Sequence, residues 1–237
     1  CLVGSEMCIR DSIITQEAKK KQAVVKSGRR FVLSLDMLYV IIIRQLLSER
    51  QMFMITVGNA ELKDAERLLE IYDYYVKNTA ITFEYTTPTI EEFRGRMEKT
   101  MQKYPYLVAE KDGVIAGYAY AGAFVGRAAY DWSCETSIYL DKNARRCGIG
   151  KTLYAALEKE LKKMGILNMY ACIGYPDNED EYLTKNSAEF HSHIGFVQVG
   201  EFHKCGYKFG RWYNMVWMEK LIGEHLTVQE PPKFPLL

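Results

Sequence analysis

The chain is short of net charge, of metal-ligand spacing and of long apolar runs, and each shortage removes a class of function. Its 31 Lys and Arg nearly balance 30 Asp and Glu, leaving a formal charge of +1. That balance gives no broad field to attract nucleic acid or an acidic membrane, so a charged ligand has to be held by local groups. There are four His, and the six Cys (Cys1, Cys8, Cys134, Cys147, Cys172 and Cys205) form neither close C-x-x-C pairs nor zinc-like spacing with His. No metal is expected, and free thiols in a reducing cytosol are. The apolar run at 31–43 is interrupted by Asp36 and closed by Arg44, which leaves it shorter than the ~20 residues a membrane helix needs. Basic residues precede it as in a signal peptide, but it lies deep in the chain and no A-x-A cleavage pattern follows. Repeats and low-complexity segments are absent. Neither nucleic acid nor membrane is an expected partner, and the expected compartment is the cytoplasm.

What is present suffices for one good core: 237 residues, 48% of them hydrophobic. Residues 1–30 carry no sustained periodicity, turn basic at Lys19-Lys20-Lys21 and Arg29-Arg30, and begin with Cys1 rather than Met. Residues 1–51 are expected to be foreign to the domain, with Met52 or Met54 as its natural start. The domain is expected at 52–222, followed by a tail at 223–237 whose Pro231, Pro232 and Pro235 suggest a loosely held surface segment.

From Met54 the pattern becomes regular. Ile55-Thr56-Val57 is a short strand, and Asn59 is placed to cap a helix. That helix carries Leu62, Ala65, Leu68, Leu69, Tyr72, Tyr75 and Val76 at three-and-four spacing and ends at Asn78. In 79–85, Ile81, Phe83 and Tyr85 fall on one side; Thr89-x-x-Glu92 is a capping box for a second helix with Phe93, Met97 and Met101 inward. Residues 106–110 and 114–124 read as an antiparallel hairpin with Asp112-Gly113 at its corner, and 130–140 as a further strand. Next comes a helix burying Leu153, Leu157, Leu161 and Met164, with Glu158 and Lys162 paired outside and Gly165 as its stop. A strand at 167–173, a short helix at 187–194 and a strand pair at 196–204 and 211–218 close the pattern.

Between the strand at 130–140 and the helix that follows lies Arg145-Arg146-Cys147-Gly148-Ile149-Gly150-Lys151-Thr152. Two glycines one residue apart let backbone N–H groups turn inward, and a helix starting near Gly150 adds the positive end of its dipole, as a pyrophosphate cradle requires. As a Walker A loop, G-x-x-x-x-G-K-[ST], the segment fails at Arg145, which stands where the first glycine belongs. The next apolar run, 167–174, also ends in no Asp that could hold Mg²⁺. Arg145-x-x-Gly148-x-Gly150 fits the Q/R-x-x-G-x-G/A loop for coenzyme A pyrophosphate without defect. An ordinary glycine turn before a surface helix is the alternative that six residues leave open.

Strand, R-x-x-G-x-G loop, helix, strand and short helix ending in Gly-Phe is the order of the GNAT acyltransferase fold. Further segments resemble the phosphinothricin N-acetyltransferases: Tyr104-Pro105-Tyr106-Leu107-Val108-Ala109-Glu110, Ala119-Tyr120-Ala121-Gly122, Ala129-Tyr130-Asp131-Trp132, Cys134-Glu135, Ile173-Gly174-Tyr175-Pro176, Phe190-His191 with Gly195-Phe196, and Gly206-Tyr207-Lys208. The resemblance covers about 54–220. It implies an α+β fold with a mixed, mostly antiparallel central sheet flanked by helices. It also implies transfer of acetyl from acetyl-CoA, without metal, to the α-amino group of a small acceptor of the phosphinothricin, methionine sulfoximine or methionine sulfone type, and a homodimer. The chain departs where the family usually has Asn, seven residues before the His of its L-H-E segment; Thr184 stands there, and the pantetheine contact falls to Asn178, to Asn186 or to neither.

Attack on a thioester needs a neutral amine, a base, a donor for the oxyanion and an acid for the thiolate. Glu135 lies midway along a strand-like run where a carboxylate is costly to bury. Alternation alone allows an outward-facing Glu there, and the resemblance favours the base. His191 stands where many GNAT enzymes carry a Tyr thought to protonate coenzyme A sulfur; an imidazole titrating near neutrality could serve as acid or base, or be a plain helix-face residue. His193 is turned away from it. By resemblance the coenzyme follows Ile138, Tyr139 and Leu140 and reaches the backbone of Arg146, Cys147, Gly148, Ile149, Gly150 and Lys151, with Arg145, Arg146 and Lys151 adding charge. Arg127, Tyr130, Tyr207 and Lys208 are the acceptor-binding candidates, Arg127 because a guanidinium grips a carboxylate with two bonds. Phe83 and Glu84 fall where family members close over the substrate, and Trp132, Trp212 and Trp217 are assigned to core or subunit contact. The rival readings are a peptide N-terminus or polyamine as acceptor, and a catalytically silent acetyl-CoA-binding module.

Overall fold

The computed structural model describes residues 54–144 and 146–234. The expectations for residues 1–51, for Met52 as a start, for Arg145 and for Pro235 lie outside the described residues. Among the described residues there are seven strands: β1 (Ile55–Asn59), β2 (Tyr106–Lys111), β3 (Val114–Ala123), β4 (Ser133–Leu140), β5 (Asn168–Tyr175), β6 (Val197–Lys208) and β7 (Arg211–Leu221). They form one sheet in the order β1-β2-β3-β4-β5-β7-β6. Every neighbouring pair is antiparallel except β4 with β5. The α-helices among the described residues are α1 (Ala65–Asn78), α2 (Ile90–Met101), α3 (Ile149–Met164) and α4 (Asn186–His193).

Strand alternation distributes the core over both faces of this sheet. Leu107, Ala109, Ala119, Cys134 and Met169 pack against Leu153, Leu157 and Leu161 of α3. The intervening residues Tyr106, Val108 and Tyr118 pack against Leu68, Tyr72, Tyr75 and Val76 of α1 and Phe93 and Met97 of α2. The α+β architecture implied by the resemblance is therefore the one observed, a mixed and mostly antiparallel sheet flanked by helices.

Local chemistry explains most boundaries. Asp112 and Gly113, at φ 55° and 80°, make the tight corner between β2 and β3. Thr89 caps α2, its side chain accepting from the Glu92 N–H, and Gly165 stops α3 at φ 81°. Asn59 does not cap the first helix; it ends β1, and α1 is entered through a 3-10 turn where the Asp64 carboxylate accepts from the Glu61 N–H at 2.8 Å. Residues 79–85 form a loop rather than an extended segment, turned by Thr79, whose hydroxyl donates to the Tyr75 carbonyl and accepts from the Ile81 N–H. The tail is tied down more firmly than its prolines suggested. Trp132 Nε1 donates to the Glu230 carbonyl at 2.9 Å, the Lys233 N–H donates to the Met164 carbonyl at 2.7 Å, and Phe234 packs on Tyr104.

Candidate active site

The one parallel contact creates the site. β4 and β5 pair only at Ser133–Asn168, Cys134–Met169 and Glu135–Tyr170. Beyond that register β4 continues to Leu140 and β5 to Tyr175 with no ladder between them, and the parting opens a narrow cleft. Its walls include Thr136, Ser137, Ile138 and Tyr139 from β4, Cys172 and Gly174 from β5, Tyr154 from α3, and Ser187 and His191 from α4.

The exposed edge of β4 supplies backbone donors. The Asp141 N–H is bonded to Ala116 across the β3 side, so alternation turns the N–H groups of Leu140 and Ile138 to the cleft side. Leu140 is already engaged there: the Tyr75 hydroxyl accepts from its N–H at 3.3 Å and donates to its carbonyl at 2.6 Å. Of the expected edge Ile138-Tyr139-Leu140, the Ile138 N–H thus faces the gap, the Tyr139 N–H is turned toward β3, and Leu140 is bridged to α1.

Between β4 and α3 stands the glycine loop. Arg146 takes φ 60° and Gly148, the cap of α3, φ 84°, while no side chain caps the helix. The first-turn N–H groups of Ile149, Gly150 and Lys151 therefore have no partner from a preceding turn, and the helix dipole favours an anion beside them. Gly150 lets α3 meet α4 closely, since a Cβ there would lie 3.1 Å from the Phe190 ring. Cys147 is half-buried in the loop.

The α4 side chain singled out by sequence is buried and fully bonded. His191 is 3% exposed; its Nδ1 is 2.7 Å from the Ser187 carbonyl and its Nε2 2.7 Å from the Tyr154 hydroxyl. The carbonyl fixes the proton on Nδ1, so Nε2 accepts from Tyr154. Burial pulls the imidazole pKa down to about 4, against the pull of the Ser187 carbonyl. The near-neutral titration expected from the residue type is thereby removed by desolvation. Tyr154 lies 3.2 Å from the Thr136 hydroxyl, which donates to the Tyr170 carbonyl at 2.9 Å. Tyr154, Thr136 and Ser187 were not singled out by sequence. For Tyr154 a signal existed, a polar-tipped aromatic on the stripe of α3 that buries Leu153 and Leu157. His193 is exposed, as expected.

Glu135 sits half-buried on the other face of β4, and among the described residues its carboxylate makes no hydrogen bond or ion pair. Burial raises its pKa above the ordinary Glu value. Tyr120 and Cys172 feel its charge, which puts it beside the cleft lined by Cys172 and Ser137.

The acceptor candidates do not gather in one place. Arg127 and Tyr130 are exposed on the β3–β4 connection, Tyr130 against Phe124. Tyr207 is exposed on β6 beside Trp212. Lys208, expected to grip an anion, is 2% exposed and donates to the carbonyls of Thr79 and Thr82 at 2.8 and 2.7 Å. Burial lowers its pKa to about 8, although Glu84 favours the charged form. Its ammonium pins the loop after α1, as does Tyr85, whose hydroxyl donates to the Tyr207 carbonyl. Phe83 in that loop lies over Gly206, where a Cβ would overlap its ring. Glu84 pairs with Arg96 of α2 at 2.6 Å. Asn178 and Asn186 are exposed and outside the cleft lining, where Ser187 stands instead. Of the three tryptophans, Trp132 and Trp217 are half-buried and Trp212 is exposed.

Comparison with known proteins agrees with this geometry. The family model described as an acetyltransferase (GNAT) domain matches residues 58–217. The chain is 31% identical over 166 residues to a phosphinothricin N-acetyltransferase of Streptomyces viridochromogenes, covering 70% of this chain and 87% of that protein. It is 28% identical to an L-methionine sulfoximine/L-methionine sulfone acetyltransferase of Salmonella typhimurium, covering 72% and 96%. Among solved structures, a phosphinothricin acetyltransferase from Sinorhizobium meliloti in complex with acetyl-CoA superposes with a TM-score of 0.68 at 35% identity, covering 75% of this chain and 92% of the other. The parted strands, the open glycine loop and these likenesses agree, and the chain belongs to the GNAT family of N-acetyltransferases.

Proposed function

We propose that the protein uses acetyl-CoA to acetylate the α-amino group of a small amino-acid-like acceptor of the phosphinothricin, methionine sulfoximine or methionine sulfone kind. The carrying observation is the cleft between β4 and β5, walled by Tyr154 of the helix α3 whose N-terminus has no side-chain cap, with an unpaired, partly desolvated carboxylate beside it. The acceptor class is supported by the likeness to acetyltransferases of those names.

In this reading the N–H groups of Ile149, Gly150 and Lys151 hold the pyrophosphate, Arg146 and Lys151 add charge, and the β4 edge at Ile138 aligns the thioester. Glu135 takes the proton of the attacking amine, directly or through one water, and its raised pKa suits it to that task. The amine nitrogen bonds to the thioester carbon, the Ile138 N–H stabilises the oxyanion, and the C–S bond breaks with its electron pair on sulfur. The thiolate then takes a proton from solvent and Glu135 returns its own. Tyr154 stands at the cleft wall, and its single O–H reaches the departing sulfur only by turning away from His191 Nε2, so His191 sets how readily that donor is released. Arg127 is assigned to the acceptor carboxylate, with Phe83 and Glu84 closing over it from the loop that Lys208 pins.

Thiol release from acetyl-CoA tests the reading, with amino-acid analogues, polyamines and short peptides as acceptors. Activity confined to the amino-acid analogues is the expected result; silence throughout with acetyl-CoA still bound would favour a binding module. Cytoplasmic detoxification by a homodimer belongs to the same proposal. Among the described residues no helix is long and apolar enough to cross a membrane. The exposed Val197, Val199 and Phe202 of β6, with Trp212 of β7, provide apolar surface for a second copy. A sedimentation mass twice that of the chain is expected.

A further inference from the structure

A second cavity, partly open to solvent, lies on the α1/α2 face of the sheet, and Tyr139 lines both it and the cleft. Its walls are unusually rich in one residue: Tyr72, Tyr106, Tyr118, Tyr120 and Tyr139 all line it. Tyr106 stacks on Tyr118 and Tyr120 with ring centroids 5.8 and 4.8 Å apart, and Tyr139 packs on Tyr118 at 5.4 Å and edge-on to Tyr72 at 5.0 Å. Tyr72 is satisfied, its hydroxyl 3.0 Å from that of Thr82. Among the described residues, the hydroxyls of Tyr106, Tyr118 and Tyr139 have no protein partner, and the one buried side-chain atom sealed away unpaired is Tyr104 Oη. These three hydroxyls therefore open into the chamber.

Burial raises the pKa of all three well above 10, so they stay protonated and available as donors. The charged residues lining the chamber are Glu84 and Arg96, and they neutralise each other at 2.6 Å while Glu92 also binds Arg96 at 2.7 Å. The chamber thus offers several neutral donors inside aromatic walls and no uncompensated cation. An anion entering it would lose its hydration without a counter-charge, whereas an uncharged oxygen acceptor would be satisfied by the phenols.

We infer that this tyrosine chamber is the subsite for the acceptor's side chain, and that it selects amino acids ending in an uncharged oxo group, as in a sulfone or sulfoximine, over those ending in an anion such as a phosphinate. The inference rests on the amino-acid acetyltransferase reading above. It adds the specificity-determining residues Tyr106 and Tyr118, which lie apart from the groups assigned to the reaction.

Two arms test it separately. Calorimetric titration of the coenzyme A-loaded protein with methionine sulfone decides the chamber without any turnover. Tight binding by the native chain, weaker binding of phosphinothricin, and a roughly 10-fold rise in the sulfone Kd in Tyr118→Phe and in Tyr106→Phe are expected, since each change deletes one hydrogen bond and keeps the ring. No sulfone binding, an unchanged Kd in both variants, or tighter phosphinothricin binding overturns the assignment. The second arm compares kcat/KM for methionine sulfone and methionine, and the preference for the sulfone should fall by the same roughly 10-fold in the variants. Sulfone binding that responds to the variants, with no acetylation of any acceptor, would uphold the chamber and sink the acetyl-transfer reading.

Discussion

The Tyr154 hydroxyl lies 2.7 Å from His191 Nε2 in the wall of the cleft, and the opposite nitrogen of the same ring is held by the Ser187 carbonyl. This arrangement locks a neutral imidazole into the fold. Its folded pKa of about 4 lies below the ordinary 6.5, so the unfolded chain takes up the proton first. The stability tied to this group is complete above about pH 6.5 and is lost as the pH falls from 6.5 toward 4. By linkage the loss amounts to about 3 kcal/mol. Denaturant unfolding across that window should show the slope in the native chain and a flatter dependence in His191→Gln. An equal slope in both proteins would place the acid-sensitive group elsewhere.

Removal of the hydroxyl separates the structural part of this pair from its chemical part. Tyr154→Phe keeps the ring contacts with Phe190 and Phe196 and deletes only the donor. A fall in kcat on the order of 10²-fold with acetyl-CoA affinity retained is expected if the hydroxyl serves the departing sulfur. A stability loss of about 1 kcal/mol with kcat unchanged would make it a packing residue alone.

Glu135 is the opposite case, a carboxylate that burial alone perturbs. Glu135→Gln should lower turnover by roughly 10²- to 10⁴-fold and leave coenzyme affinity in place. In the native enzyme the acidic limb of kcat/KM should fall above pH 4.5, in the direction burial sets, and disappear in the variant. Native-like turnover in Glu135→Gln would remove it from the mechanism.

The elements themselves were legible where one local signal sufficed: the 3.6-residue spacing of α1 and α3, the Thr89 cap of α2, the Asp-Gly corner and the Gly165 stop. Spacing gave no sign of where β4 and β5 part, because that depends on the register of two strands with a whole helix between them. The same holds for side-chain roles. His191 was visible as a titratable residue, but its neutral state comes from burial against Tyr154 on a different helix. Lys208 was visible as a cation, yet its environment is made by carbonyls more than 120 residues earlier in the chain. Residue type was readable in each instance and desolvation was not, since desolvation is a property of the assembled fold.

Lys208 and Gly206 hold the loop after α1 from the β6 side, one by two hydrogen bonds and the other by leaving room for Phe83. Lys208→Met leaves the Thr79 and Thr82 carbonyls without their donor, and Gly206→Ala pushes the Phe83 ring aside. Both changes should raise the acceptor KM several-fold more than they lower kcat, because they act on a loop assigned to closure and not on the reacting atoms. Equal falls in kcat and kcat/KM would mean that this loop positions the chemistry itself.

The glycine loop allows the anion-holding role of α3 to be separated from its packing. At Gly148 a Cβ meets nothing within 4 Å, but φ is 84°, so Gly148→Ala adds only backbone strain, about 1 kcal/mol. At Gly150 the backbone is ordinary and the obstacle is the Phe190 ring at 3.1 Å. If the first-turn N–H groups hold the pyrophosphate, relaxation of the strain at Gly148 re-aims them and should raise the coenzyme A Kd. Gly150→Ala instead displaces α4 and should disturb the His191–Tyr154 pair, seen as a change in the acid stability slope. A coenzyme Kd that responds to Gly150→Ala and ignores Gly148→Ala would mean that the contact comes from the α3–α4 junction and not from the helix N-terminus.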